Sequence, residues 1–129
     1  MATTKSIQVI LARQLASCVA TPILLTDAEG ALIFYNEAAE AIFNRRFDET
    51  GEMPAAEWTT VVAAVDDERK PIPPEDRPMM LVLAGCCPVS RTMWTRRSDG
   101  EWRHLQVTAF PLIGEGDVLL GAMSIFWEI

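Results

Sequence analysis

Pro22-Ile-Leu-Leu-Thr-Asp-Ala-Glu-Gly-Ala-Leu-Ile-Phe-Tyr-Asn36 reads as two short apolar strands joined by a tight turn and running straight into a helix. Ile23, Leu24, Leu25 and Leu32, Ile33, Phe34, Tyr35 are branched, aromatic or bulky, which suits a pleated, half-buried surface. Asp27 can bond its own backbone two residues on, and Gly30 takes a positive φ at no steric cost. Asn36 is a favoured N-cap, and Glu37 and Glu40 put negative charge where the helix dipole favours it.

Working outward, Ile7, Ile10, Leu11, Leu15 and Cys18 recur at helical spacing and predict an amphipathic helix over residues 5–19, with Thr4 or Ser6 as cap. It must end before Pro22, which disfavours helical backbone at Thr21. After Asn36 a short helix carries Ala38, Ala39, Ala41, Ile42 and Phe43. Residues 44–60 read as short turns, with one helical turn over Ala55 to Val65 that faces Trp58, Val61 and Val62 inward. A proline-rich loop, 66–78, leads to a helix near 75–84 closed by Gly85, with Pro73 or Pro74 at its start. Three strands follow: Val89 to Arg96, Trp102 to Leu112 and Val118 to Trp127, with Ser98-Asp-Gly100 as a tight turn. Helix, two strands, several helices and three strands predict an α+β fold around an antiparallel sheet rather than alternating βαβ units.

The chain has 129 residues, half of them apolar, which is one domain with a real core. A net charge of −7 argues against nucleic-acid and membrane-surface partners, which need a basic patch. The local basic cluster Arg91, Arg96, Arg97 and Arg103 is split by Asp99 and Glu101 and reads as a solvated hairpin face. No run approaches the ~20 apolar residues of a membrane span. The N-terminus lacks a signal-peptide layout. Three cysteines without metal spacing, two of them adjacent, fit a reducing cytoplasm.

From about residue 18 to 128 the chain resembles a PAS domain. "PILLTDAEGALIFYNEAAEAIF" is similar to the family's opening hairpin and first helix, and "KPIPPEDRPMMLVLAG" to its loop and connecting helix. "MWTRRSDGEWRHLQVTAFPLIGEGDVLLGAM" is similar to the last three strands. "IFWEI" resembles the place of an Asp-Ile-Thr exit motif, with Glu128 for the Asp, which suggests a piece of a longer signalling protein. The resemblance implies five antiparallel strands in the order 2-1-5-4-3, helices roofing a small pocket on one face, and a leading helix that packs on the other face or pairs with a second copy. It divides the chain into the amphipathic helix, 1–20, and a PAS domain, 21–129.

On that basis Leu25, Phe34, Ile42, Phe43, Trp58, Met80, Leu83, Met93, Val107 and Met123 are expected to line the space between sheet and helices. Flexible Met79, Met80, Met93 and Met123 suit an adaptable pocket for a small apolar or amphipathic ligand. The alternative is a filled core in a ligand-free interaction scaffold. Ile7, Ile10, Leu11 and Leu15 are expected to meet a twin helix in a homodimer. An effector domain or partner protein in the parent chain would read the output. Haem-binding relatives carry a ligand histidine on the connecting helix, and this chain has none there. Asn44-Arg-Arg-Phe47 lacks the cysteine of the light-sensing Asn-Cys-Arg-Phe run. Neither haem nor flavin is therefore expected. His104 reads as a surface or edge residue of its strand, and Cys86 and Cys87 as buried or half-buried thiols beyond a helix C-terminus, the wrong end for activation. Asp66-Asp67-Glu68 reads as a solvated loop. No Ser-His-Asp set, phosphate loop or carboxylate pair points to catalysis. A small α+β-cone isomerase would need a buried carboxylate in the pocket, and the inward positions offer none.

Overall fold

The computed structural model describes residues 7–129, so the expected caps Thr4 and Ser6 lie outside the described residues. Helix α1 (Ile7–Ser17) leads into β1 (Ile23–Asp27) and β2 (Leu32–Tyr35), and then α2 (Glu37–Phe43), α3 (Phe47–Thr50) and α4 (Ala55–Val61). The chain continues through β3 (Ala63–Val65), a 3-10 turn at Pro74–Asp76 and α5 (Pro78–Gly85) to β4 (Val89–Arg96), β5 (Trp102–Ile113) and β6 (Leu119–Glu128). All strands join one antiparallel sheet in the order β2-β1-β6-β5-β4-β3.

The sheet has six strands, not the expected five. The expected order is intact, with β3 added at the edge beside β4. Residues 55–65 split instead of forming one helical turn: α4 stops at Val61, and Val62 is extended (φ −93°, ψ 96°). β-Branched Val61 and Val62 lose little by leaving the helix. Ala63, Ala64 and Val65 then pair with Arg96, Thr95 and Trp94, and the Thr95 hydroxyl donates to the Ala63 carbonyl at 2.8 Å.

The hairpin turn forms as its residues dictate. Asp27 Oδ1 accepts from the Glu29 and Ala31 amides, and Gly30 sits at φ 88°. Asn36 Oδ1 caps α2 by accepting from the Ala39 amide at 3.1 Å. It also accepts from the Ile23 amide, while its Nδ2 donates to Ala16, Val19 and Thr21 carbonyls. This one side chain ties the end of α1, the start of β1 and the start of α2. Helix α5 begins at Pro78, where a missing N–H costs nothing, and runs through Gly85. Its left-handed cap is Cys86 (φ 51°), not the expected Gly85, and the Cys86 amide donates to the Val82 carbonyl.

The two sheet faces carry separate cores. Helices α2, α4 and α5 cover one, burying Leu24, Tyr35, Met93, Leu105, Val107 and Phe126 with Trp58, Met79 and Val82. Helix α1 covers part of the other, burying Val9 and Ala16 against Ile23, Leu25, Ile33 and Met123. No helix among the described residues is long and apolar enough to cross a membrane.

Candidate functional site

A cavity of about 60 Å³ lies between the inner face of β1 and β3–β6 and the ends of α2, α4 and α5. Leu24, Ala64, Met93, Leu105, Val107 and Phe126 form its sheet wall, and Phe43, Trp58, Val62, Pro78 and Met79 its helical wall. The polar lining is Thr95, Ser124 and Arg77. Trp58 is fixed by its indole N–H, which donates to the Gly30 carbonyl at 2.7 Å. Thr95 is committed to Ala63.

Arg77 is the N-cap residue of α5, and its side chain runs back under the end of α4. It is 7 % exposed. Nη1 donates to the Val62 carbonyl at 2.6 Å and Nη2 to the Thr59 carbonyl at 2.5 Å, satisfying carbonyls that the end of a helix leaves without partners. Its Nε is shielded and has no hydrogen-bond partner among the described residues. Burial pushes the guanidinium pKa below its ordinary value, and no acidic side chain counters that shift. Holding a charge out of water costs on the order of several kcal/mol, against which stand these two bonds and the Trp58 ring, 5.9 Å from Cζ.

Of the expected pocket residues, Phe43, Trp58, Met93 and Val107 border the cavity. Ile42 is buried in the same core without reaching the cavity wall, and Met80 and Leu83 pack half-buried at its margin. Leu25, Phe34 and Met123 lie on the opposite face, against α1. The three misplacements are one event. Leu25 is paired with both Phe34 and Met123, and directly opposed residues share a face. Leu24, Met79, Leu105 and Phe126 take the inward positions instead. Alternation along β5 and β6 could have given Leu105 and Phe126; nothing local marks Arg77.

Helix α1 turns Val9 and Ala16 to the sheet. Ile7, Ile10, Leu11 and Leu15 face outward, at 69, 43, 57 and 62 % exposure. Cys18, Cys86 and Cys87 are free and exposed, which corrects the expectation of buried or half-buried thiols at 86 and 87. The tight cap at Cys86 projects this segment away from the core. His104 is an outer-face residue stacked on Trp94 at 4.2 Å, with Nε2 3.2 Å from Asp67 Oδ1. Two of the four arginines of the basic hairpin are paired locally: Arg97 with Asp99 at 3.5 Å, and Arg103 with Glu101 at 3.0 Å and Glu128 at 3.5 Å. No Asp or Glu is buried among the described residues, and no group of His, Cys, Asp and Glu is placed to hold a metal.

No curated protein sequence matches this chain. Solved structures do. The PAS domain of BvgS from Bordetella pertussis is 21 % identical, with 96 % of this chain and 88 % of that one covered at a TM-score of 0.69. The PAS domain of nitrogen regulation protein NR(II) from Vibrio parahaemolyticus is 18 % identical, with 92 % and 98 % covered at 0.63. A LOV protein from Rhodobacter sphaeroides is 12 % identical, with 96 % and 68 % covered at 0.73. The sequence profile of the PAS fold matches residues 19–129, nearly everything beyond α1, and with this profile and this sheet order the chain belongs to the PAS fold family.

Proposed function

We propose that this chain is a non-catalytic regulatory sensor and dimerisation module that binds a small apolar or amphipathic molecule between sheet and helices. PAS domains are sensory and signalling modules, and solved relatives include one in a nitrogen regulation protein. The observation that carries the reading is the apolar cavity under α4 and α5, walled by flexible Met79 and Met93. A guest acts by binding one arrangement of the roof better than another. The output leaves through α1 and β6, which flank the positions of neighbouring domains in a signalling chain. The cavity, several-fold below the ~300 Å³ of ordinary ligand pockets, supports leaving haem and flavin out. The exposed thiols support a reducing, cytoplasmic setting.

The exposed stripe on α1 supports a homodimer through that helix, because contiguous apolar surface of this kind marks an interface. The test is the mass in solution of the wild type and of Leu11→Asp with Leu15→Asp. A wild-type dimer that becomes monomeric is expected; a double variant that stays dimeric removes the helix from the interface. The small cavity also favours a second reading, a ligand-free interaction scaffold. Native mass spectrometry of freshly purified protein separates the two: a retained small organic mass supports the sensor. Visible colour would bring haem or flavin back.

A further inference from the structure

Among the described residues, Arg77 is the one charged side chain that is buried. A guanidinium carries five N–H donors, and the carbonyls of Val62 and Thr59 occupy two of its nitrogens once each. The third nitrogen, Nε, has no hydrogen-bond partner among the described residues. The chain is acidic, at −7, yet the ion pairs among the described residues, Arg46 with Asp48, Lys70 with Glu68, Arg97 with Asp99, and Arg103 with Glu101 and Glu128, leave Arg77 without a carboxylate. Arg77 borders the cavity, whose remaining walls are almost wholly hydrocarbon, aromatic or thioether. A planar, weakly hydrated fork beside an apolar space matches the two oxygens of a carboxylate, and because Nε is shielded, the guanidinium must turn or the roof shift to present it.

Resting on the pocket reading above, we propose that the cavity binds a small organic monocarboxylate, its carboxylate on Arg77 and its apolar body against Met79, Met93 and Leu105. One cation calls for one negative charge. The volume of about 60 Å³ restricts the body to a short chain or a small ring unless the methionines move.

The experiment compares acids with neutral partners of the same shape: butanoate with butanamide, and benzoate with benzamide. Each is titrated at pH 7, where the acids are ionised, into the ¹⁵N-labelled full chain and followed at the amides of Ala64, Met93 and Leu105. Both members of each pair are expected to shift these signals, the acids binding about tenfold more tightly. In Arg77→Met the acids fall to the level of the amides, while the amides keep their affinity. Equal binding of acid and amide to the wild type overturns the role of Arg77 and leaves the pocket reading standing. No shift from any probe overturns both. An acid preference that persists in Arg77→Met places the carboxylate elsewhere and overturns the inference. Should Arg77→Met fail to fold, Arg77→Lys, which keeps charge but loses the fork, must lower the acid preference about threefold or more; an unchanged preference overturns it.

Discussion

Tyr35, Leu24, Ser124 and Ala109 form one row across β2, β1, β6 and β5; Phe34, Leu25, Met123 and Phe110 form the next. The rows lie one residue apart on the same strands and meet different surroundings. Every member of the first is buried, roofed by α2, α4 and α5. In the second, only the central pair, Leu25 and Met123, is buried, under α1, while Phe34 and Phe110 at the ends remain partly open. The outer face continues past α1 into half-buried Trp94 and His104 and exposed Trp127, with an apolar stripe on the helix itself. The difference separates two tasks. The closed face holds the larger buried core and the cavity, and the half-closed face leaves apolar surface open.

Both faces depend on the contact of β1 with β6, so the largest effect comes from prising those strands apart. A Cβ on Gly121 would lie 2.1 Å from the Thr26 carbonyl oxygen. Gly121→Ala is expected to cost about 3–5 kcal/mol in urea unfolding, because backbone cannot yield as a flexible side chain does. A loss below about 1 kcal/mol would mean that β1 slides freely and that the two rows are not fixed relative to each other. Next comes the contrast itself. Leu105 is 3 % exposed and Leu15 is 62 % exposed. Leu105→Ala should cost about 2–4 kcal/mol through lost burial and an enlarged cavity, and Leu15→Ala at low protein concentration within about 0.5 kcal/mol. Comparable losses would show that the outer stripe is already covered within one chain.

Asn36 is the strap between the two halves. Asn36→Ala removes the cap of α2 and strands the carbonyls of Ala16, Val19 and Thr21, for about 2–3 kcal/mol. Asn36→Asp keeps the acceptor for α2 and loses the donor to α1. Hydrogen exchange should then quicken in α1 and not in β4 or β5. Uniform quickening would deny that the strap acts on one side.

The same contrast explains how far the residues alone disclosed the architecture. Along β5, Trp102, His104 and Gln106 alternate with Leu105, Val107 and Ala109, one face wet and one dry, so the inward positions were legible. Along β1, Ile23-Leu24-Leu25-Thr26 is buried on both faces and offers no alternation. Nothing local therefore separates Leu24 from Leu25, and Phe34 and Met123 share the outward face of Leu25 through their pairing with it. Strand β3 is three residues, two of them alanine, and exists because β4 supplies a partner. Such tertiary pairing overrides local preference. Arg77 sits where the proline-rich loop meets the expected helix, and nothing local marks a buried charge; only the meeting of α4 and α5 buries it. The exposed stripe of α1 was legible as apolar, but its periodicity equally suited a sheet-facing surface, and Val9 and Ala16 took that side instead.

The smallest expected effect distinguishes two adjacent residues. Phe34 and Tyr35 point to opposite faces. The Tyr35 ring meets Phe43 at 5.4 Å and Phe47 at 5.3 Å edge-on, and its hydroxyl lies 3.2 Å from both the Arg45 carbonyl, to which it donates, and Thr50 Oγ1, which can then donate to it. Burial, chiefly, raises its pKa above 10.0. The folded chain then holds this proton after the unfolded chain has released it, so ionisation favours unfolding. The group leaves stability unchanged below pH 10 and lowers it as pH rises toward the folded value, by at most about 1.4 kcal/mol per pH unit. Tyr35→Phe should unfold within about 1 kcal/mol of the wild type at pH 7 and lose this part of the alkaline slope. Because Tyr35 is the one tyrosine in the chain, its phenolate absorbance reports this site alone. A midpoint at or below 10 would place the hydroxyl in water, and the inner face would then be open at the β2 edge, like the outer one.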